Sequence, residues 1–362
     1  MKKLFGVLCL FALLLSGCAG PEEQSRNTLS IWGLQEHLPS GLEDAAAAYN
    51  TANGEGLTIS LRSFPDEEAL AEAFNLARPD LLFCSYRRAE ELQERGHLRS
   101  LGEQLTVLPA YGGGLDQRLP LAGDCFFPLG TVVQLLCARE NGISPEELSD
   151  PEKLCDAALR YRRAEAVPAF TADDFSAFFL HAMLSVEEEF HARLSRDKNN
   201  DRFKYIYNLL TETALDGALL STEYRAVDLL ESDALPLALA DSRSLAGFSG
   251  PVAPAPAYRS SLRYPGDTLG FAVTAERGRD MAPIARFLDQ LHTGGRSCSL
   301  ALRSGLVPAL PGEQEEDLRP AAACLLELGL YYEIYLPDKS SDYIKNRPEF
   351  EAAFRKTLER LY

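Results

Sequence analysis

A mixed α/β fold in two lobes is predicted for this 362-residue chain by three observations. Strand-like and helix-like segments alternate three times between Thr28 and Gly96. A long helical stretch then intervenes before β character returns near Gly270. The length also exceeds what one hydrophobic core usually organises.

The elements follow in order. "TLSIW" from Thr28 alternates apolar and polar residues as a strand does. Ser40 can cap the next helix, which places Leu42, Ala45, Ala46 and Tyr49 on one face and ends at "NGEG". "LTISLRSF" alternates again, and Asp66 is set to cap "EEALAEAFNLA", whose Glu67 and Glu68 suit a positive helix start. "PDLLFCS" is a continuous apolar run, the pattern of a strand covered on both faces. "YRRAEELQERG" supplies a helix closed by Gly96. This alternation implies a parallel sheet flanked by helices.

Phe126 to Cys137 is apolar and β-rich, with Pro128 and Gly130 marking a crossing between lobes. From Ser149 to about Leu230 the pattern is largely helical, including "DFSAFFLHAML" and "FKYIYNLLTETAL". The proline-rich "GPVAPAPAY" leads to the strand-like "TLGFAVT", so the chain re-enters the first lobe. Pro320 to Tyr362 reads as helical with a break at "LPDKSSD".

The first residues have a separate logic. Lys2 and Lys3 precede the apolar run Leu4 to Leu15, about a dozen residues where a membrane-crossing helix needs roughly 20. A positive start, a short apolar middle and small residues mark a secretory signal peptide over residues 1–17. Leu15-Ser16-Gly17-Cys18 resembles the bacterial lipoprotein box. That resemblance implies that Cys18 carries a diacylglyceryl group and becomes the first mature residue. Residues 18–28, polar and without period, suit a lipidated tether.

Without residues 1–17 the chain has 34 basic and 53 acidic residues. No basic run or patch is present to meet a phosphate backbone, so nucleic acid is excluded as a partner. The acidic excess reads as a solvated surface. Beyond Cys9 and Cys18 six cysteines remain, of which Cys84, Cys137 and Cys324 sit in apolar runs where a thiol acts as a small core side chain. With no CxxC or Cys/His cluster, no metal or other cofactor is expected.

Catalytic patterns are missing as well. "GFSG" at Gly247 to Gly250 lacks the spacing and context of a nucleophile elbow. "YGGGLD" from Tyr111 has no strand before it, as a phosphate-binding loop requires. Asp173-Asp174 and Glu187 to Glu189 read as solvated faces of helices. No set of acid, base and nucleophile assembles, so no enzyme is expected.

Several stretches in order resemble the extracellular solute-binding proteins of family 1, the maltose-binding-protein type that serves ABC importers. They are "LSIWG", "YNTANGEG", "RPDLLFCSYRRAEELQERGHLRSL", "ALADSRSL", "VAPAP", "GFAVT", "MAPIARFLDQLHT" and "SGLVPAL", spread over nearly all of the mature chain. The resemblance implies a type II periplasmic-binding-protein-like fold, in which each lobe is a mainly parallel sheet flanked by helices. It implies residues 29–130 as lobe 1, 131–267 as lobe 2, 268–310 as a return to lobe 1 and 311–362 as C-terminal helices on lobe 2. It further implies a monomer facing the extracellular or periplasmic side, anchored to the membrane by lipid. That monomer would deliver a small polar solute, a sugar or oligosaccharide first, to ABC permease subunits. A polyamine or another small organic solute, or a role reporting to a membrane sensor kinase, remains open. ATP hydrolysis belongs to another subunit, because no GxxxxGK[ST] loop occurs.

Ligands of α/β lobes gather beyond the carboxyl ends of parallel strands. That rule selects Trp32 and Gln35 after the first strand and Ser85, Tyr86 and Arg87 after the third. Trp32, the single tryptophan, can stack on a flat apolar face or anchor the core. Ser85 and Tyr86 offer hydroxyls and Arg87 a guanidinium, although Ser85 is also a natural helix cap. By the resemblance, Asp241 and Ser242 face the cleft from the second lobe, and Phe127 and Tyr264 sit near the hinge.

Overall fold

The structure is a computed structural model that describes residues 28–52, 57–102, 119, 121–139, 143–175, 178, 201–257, 263–310, 312, 318–331, 333–335 and 356. Residues 18–27 of the tether, Tyr111 to Asp116, Glu187 to Glu189 and nearly all of the chain beyond Tyr335 lie outside the described residues, while Thr28, expected to end the tether, opens the first strand.

The first three strands and helices fall where the alternation places them. β1 (Thr28–Leu34), α1 (Leu42–Ala52), β2 (Thr58–Phe64), α2 (Glu67–Leu76), β3 (Leu81–Ser85) and α3 (Tyr86–Glu94) form a parallel unit ordered β2-β1-β3. Asp66 caps α2, its carboxylate accepting the Ala69 N–H at 2.8 Å. Gly96 follows α3 at φ +68°, in the left-handed region that ends helices.

β4 (Phe126–Val132) and β5 (Gln134–Ala138) are one apolar run divided between two sheets. The second sheet also holds β6 (Phe170–Ala172), β7 (Leu237–Asp241) and β8 (Val252–Pro254), in the order β6-β7-β5-β8. Around it lie α4 (Pro151–Glu165), α5 (Asp201–Leu215) and α6 (Ala226–Glu231). β9 (Arg263–Pro265) leads into β10 (Asp267–Val273), which returns to the first sheet. There follow α7 (Ala282–His292), α8 (Arg296–Arg303), β11 (Val307–Pro308), α9 (Pro320–Tyr331) and β12 (Glu333–Tyr335). The first sheet is complete as β11-β4-β10-β3-β1-β2, and β12 pairs with β9 in a parallel ribbon of its own.

Both sheets are mixed. Pairs joined through helices, β1 with β2 and β3, and β6 with β7, are parallel. β10 runs antiparallel to β3 and β4 because it enters the sheet from the other lobe, and β5 runs antiparallel to β7 and β8. The change of sheet falls at Val133, after Pro128 and Gly130, which both lie inside β4. Phe170–Ala172 is a strand where helical periodicity was expected; three residues are too few for a period to register.

Continuous apolar strands are explained by burial on both faces. Ile31, Phe83, Phe127 and Phe271 pack on the α1 and α7 side, while Trp32, Cys84, Phe126 and Ala272 pack on the α2 and α3 side. Phe83 and Phe271 meet edge to face at 5.0 Å. The second lobe has one core built on Leu135 to Ala138 and Leu237 to Ala240. α8 serves both cores: Leu300 and Ala301 join the first lobe, Cys298 and Leu302 the second. Cys84, Cys125, Cys137, Cys155, Cys298 and Cys324 are all buried.

His292 ends α7 with 8 % of its surface exposed. Burial pulls its imidazole down to about 4. The unfolded chain protonates this group near its ordinary value of 6.5, so acid favours unfolding. Its contribution is therefore full above pH 6.5 and lost as the pH falls towards about 4, an effect of about 3 kcal/mol. Denaturant titrations of the wild type and His292→Leu between these limits should show a shallower acid decline in the variant. Equal slopes would remove His292 as a source of acid sensitivity.

Candidate functional site

The crossing at Val133 brings two strand edges together. β4 ends at Val132 on the edge where β1, β2 and β3 also end. β5 starts at Gln134, paired with Asp241 at the end of β7, beside the end of β6. Loops leaving the carboxyl ends of strands in both lobes therefore meet at one cleft, the usual place for a ligand in such sheets.

From the first lobe, the turn after β1 carries Gln35, Glu36 and His37. The Gln35 N–H donates to the Phe64 carbonyl at 2.8 Å, and His37 Nε2 lies 3.6 Å from Glu36 Oε1. Burial lowers the imidazole pKa of His37, Arg243 lowers it further, and Glu36, Asp267 and Glu67 oppose them. From the second lobe, Arg243 forms a two-point ion pair with Asp241, Nε to Oδ1 at 3.1 Å and Nη2 to Oδ2 at 2.9 Å. Desolvation of Arg243 is outweighed by Asp241, Glu36 and Asp267, so its pKa rises. Arg243 thus feels carboxylates of both lobes.

Asp173, just beyond β6, organises this corner. Its carboxylate accepts the Ala226 N–H at 2.7 Å and the Asp241 N–H at 2.8 Å. These bonds tie the start of α6 to the end of β7 and fix the backbone that presents Asp241 and Arg243. Asp173 was read from sequence as part of a solvated helical face; it follows a strand and is a structural acceptor. Gln134 Nε2 donates to the Asp174 carbonyl at 3.1 Å.

The sequence-selected residues divide into two groups. Four are buried. Trp32, 7 % exposed, tilts against Phe64 with ring centres 5.2 Å apart, and the Arg62 guanidinium lies over both rings. Tyr86, 1 % exposed, accepts the Leu121 N–H on its hydroxyl at 3.2 Å. Phe127, expected near the hinge, belongs to the first-lobe core. Ser242 has no exposed surface; its N–H donates to the Val133 carbonyl at 2.9 Å and its hydroxyl accepts the Val133 N–H at 3.2 Å. Ser242 therefore ties β7 to the crossing and has no surface to offer a ligand in this conformation. Period-two strands put alternate residues on opposite faces, and the helices covering those faces turn candidates near a strand end into core.

The others remain at the cleft edge. Gln35 is exposed, Ser85 caps α3 by accepting the Arg88 N–H at 3.3 Å, Arg87 is half-buried, and Asp241 is held by Arg243. Tyr264 lies in β9 opposite Ile334 of β12. Sequence reading missed His37, Asp267, Arg243 and the role of Asp173, whose bonds run to Ala226 and Asp241, 53 and 68 positions away. Only a polar residue directly after an apolar strand could have signalled them, and Asp173 followed a strand too short to be noticed.

The two lobes and the cleft at their crossing define the fold of the periplasmic binding proteins. The sequence matches no family model and no curated relative. Solved structures match it closely in fold. Cyclic alpha-maltosyl-1,6-maltose binding protein from Arthrobacter globiformis is 13% identical with a TM-score of 0.70, over 92% of this chain and 94% of that one. The spermidine/putrescine ABC transporter substrate-binding protein from Streptococcus pneumoniae is 12% identical with a TM-score of 0.65, over 92% of this chain and 99% of that one. The GacH receptor of Streptomyces glaucescens, a structure solved with and without acarbose, is 14% identical with a TM-score of 0.66, over 92% and 94% of the two chains.

Proposed function

We infer that this chain is the solute-binding protein of an ABC importer, anchored at Cys18 outside the cytoplasm, which shuts its lobes on a small polar solute and delivers it to permease subunits. The reading assigns no catalysis and takes the chain as a monomer. The observation that carries it is the cleft itself: polar loops of both lobes face each other, and Arg243 of one lobe is within electrostatic reach of Glu36 and Asp267 of the other. Closure makes affinity depend on contacts that exist only when both lobes engage. Sugars or oligosaccharides are the first ligand class, in keeping with matched structures named for maltose-type and chitin oligosaccharide binding. Gln35, Ser85, Arg87, Asp241 and Tyr264 are the proposed contacts retained from sequence, and Arg243 joins them.

A polyamine is the second reading. Glu36, Asp66 and Glu67 are exposed beyond strand ends of the first lobe and Asp267 is exposed at the start of β10, and Trp32 is buried away from any flat ligand. Carboxylates suit a cationic guest, and the matched spermidine/putrescine binder shares the fold.

A thermal-shift screen with oligosaccharides, polyamines, amino acids and anions tests both readings. A ligand present at 100 times its dissociation constant adds about 2.7 kcal/mol. Arg243→Ala is expected to weaken the responding ligand by about tenfold or more, with little loss of unliganded stability because the pair is partly exposed. Should no class raise the melting temperature, the receptor reading falls; should Arg243→Ala bind as the wild type does, Arg243 leaves the site.

A further inference from the structure

A second cavity lies at the lobe junction, bounded by the turn after β7, by α8 and by the first turn of α9. It measures about 380 Å³, and its walls include Ser242, Leu245, Leu302, Arg303, Arg319 and Leu325. Leu302 and Arg303 come from α8, which packs against β4 of the first lobe. Leu245 and Leu325 belong to the core of the second lobe. Gly305, between α8 and β11, also lines it. The volume falls in the range of pockets that hold small organic molecules.

The described lining of this cavity is basic, unlike the chain as a whole. The sequence holds 53 acidic and 36 basic residues, yet the charged lining residues among those described are Arg303 and Arg319. Ala321 and Ala322, in the first turn of α9, line the same space, so the positive end of that helix adds to the two guanidiniums. Arg319 is held in place by donating from Nη1 to the Ala246 carbonyl at 2.7 Å. Leu302, Leu318 and Ala322, which keep some exposed surface, supply an apolar floor.

We propose that this junction cavity is a second binding site, for a small organic monoanion whose carboxylate meets Arg303 and Arg319 and whose aliphatic or aromatic body rests on Leu302, Leu318 and Ala322. The proposal stands apart from the identity of the cleft ligand. Since both lobes supply walls, an occupant bridges them.

Isothermal titration of the full chain with octanoate, and with octanamide as its uncharged counterpart, tests it. Octanoate is expected to bind at one site per chain, about tenfold or more tighter than octanamide. Arg303→Ala and Arg319→Ala should each weaken octanoate by about tenfold, and Ala322→Phe, which fills the space, should abolish binding. Equal binding of the two probes to the wild type, no binding of octanoate, or undiminished binding to Ala322→Phe overturns the proposal.

Discussion

Arg279→Ala is expected to lower unfolding free energy by about 3–5 kcal/mol, the cost of leaving a buried charge without its partner. Asp80 is 1 % exposed, and its carboxylate receives Arg279 Nε at 2.9 Å, the Ser30 N–H at 2.8 Å and the Ser30 hydroxyl at 3.2 Å. The Asp80 N–H returns a bond to Ser30 Oγ at 3.0 Å, and Arg279 Nη2 also donates to the Thr28 carbonyl. One carboxylate thus ties the start of β1, the start of β3 and the loop after β10. Truncating Arg279 strands that charge inside the sheet edge. Removing both partners together should cost less than the sum of the single losses, a coupling that a double-mutant cycle with Asp80→Ala reads directly. Additive losses in denaturant titrations would show that the two residues act independently. By contrast, truncating Arg225, paired with Asp228 at the surface, is expected to change stability little.

Gly305→Ala is expected to cost about 3–5 kcal/mol, from two sources that act at one atom. The residue has φ +70°, which a side chain disfavours by about 1–2 kcal/mol. An added Cβ would also stand 2.3 Å from the Ser242 carbonyl oxygen and 2.6 Å from the Arg243 Cα, backbone atoms that cannot rotate away. Gly278 is the control: its φ is +90°, with nothing within 4 Å of an added Cβ. Thermal melts should place Gly278→Ala about 2 °C below the wild type, from left-handed strain alone, and Gly305→Ala about 4–7 °C below it. Equal melting of the two variants would mean that left-handed strain alone matters and the close approach does not. Because Gly305 touches the segment carrying Asp241 and Arg243, its variant should weaken cleft ligands as well.

The contrast between these positions explains what sequence reading reaches. The opening alternation needs only local periodicity and caps, so β1 to α3 and the Asp66 cap were visible residue by residue. The return at "TLGFAVT" was visible because an apolar strand stands out against proline-rich neighbours. Phe170–Ala172 was not, since three residues carry no period. Candidate contacts suffered for a related reason. Position after a strand selects a neighbourhood, and the covering helices then decide which side chains in it stay wet. Trp32 and Tyr86 went to the core, while Gln35 and Arg87 did not.

By itself, the order of residues determined the two-lobed α/β class, because strand and helix periods and capping residues act over a few positions. Only the tertiary structure decided which residues face the cleft and which hold the lobes together. The bond between Ser242 and Val133 spans 109 positions and that between Arg279 and Asp80 spans 199. The contact of Gly305 with Ser242 is likewise long-range. Such pairings depend on how sheets pack and cross, which no local pattern records.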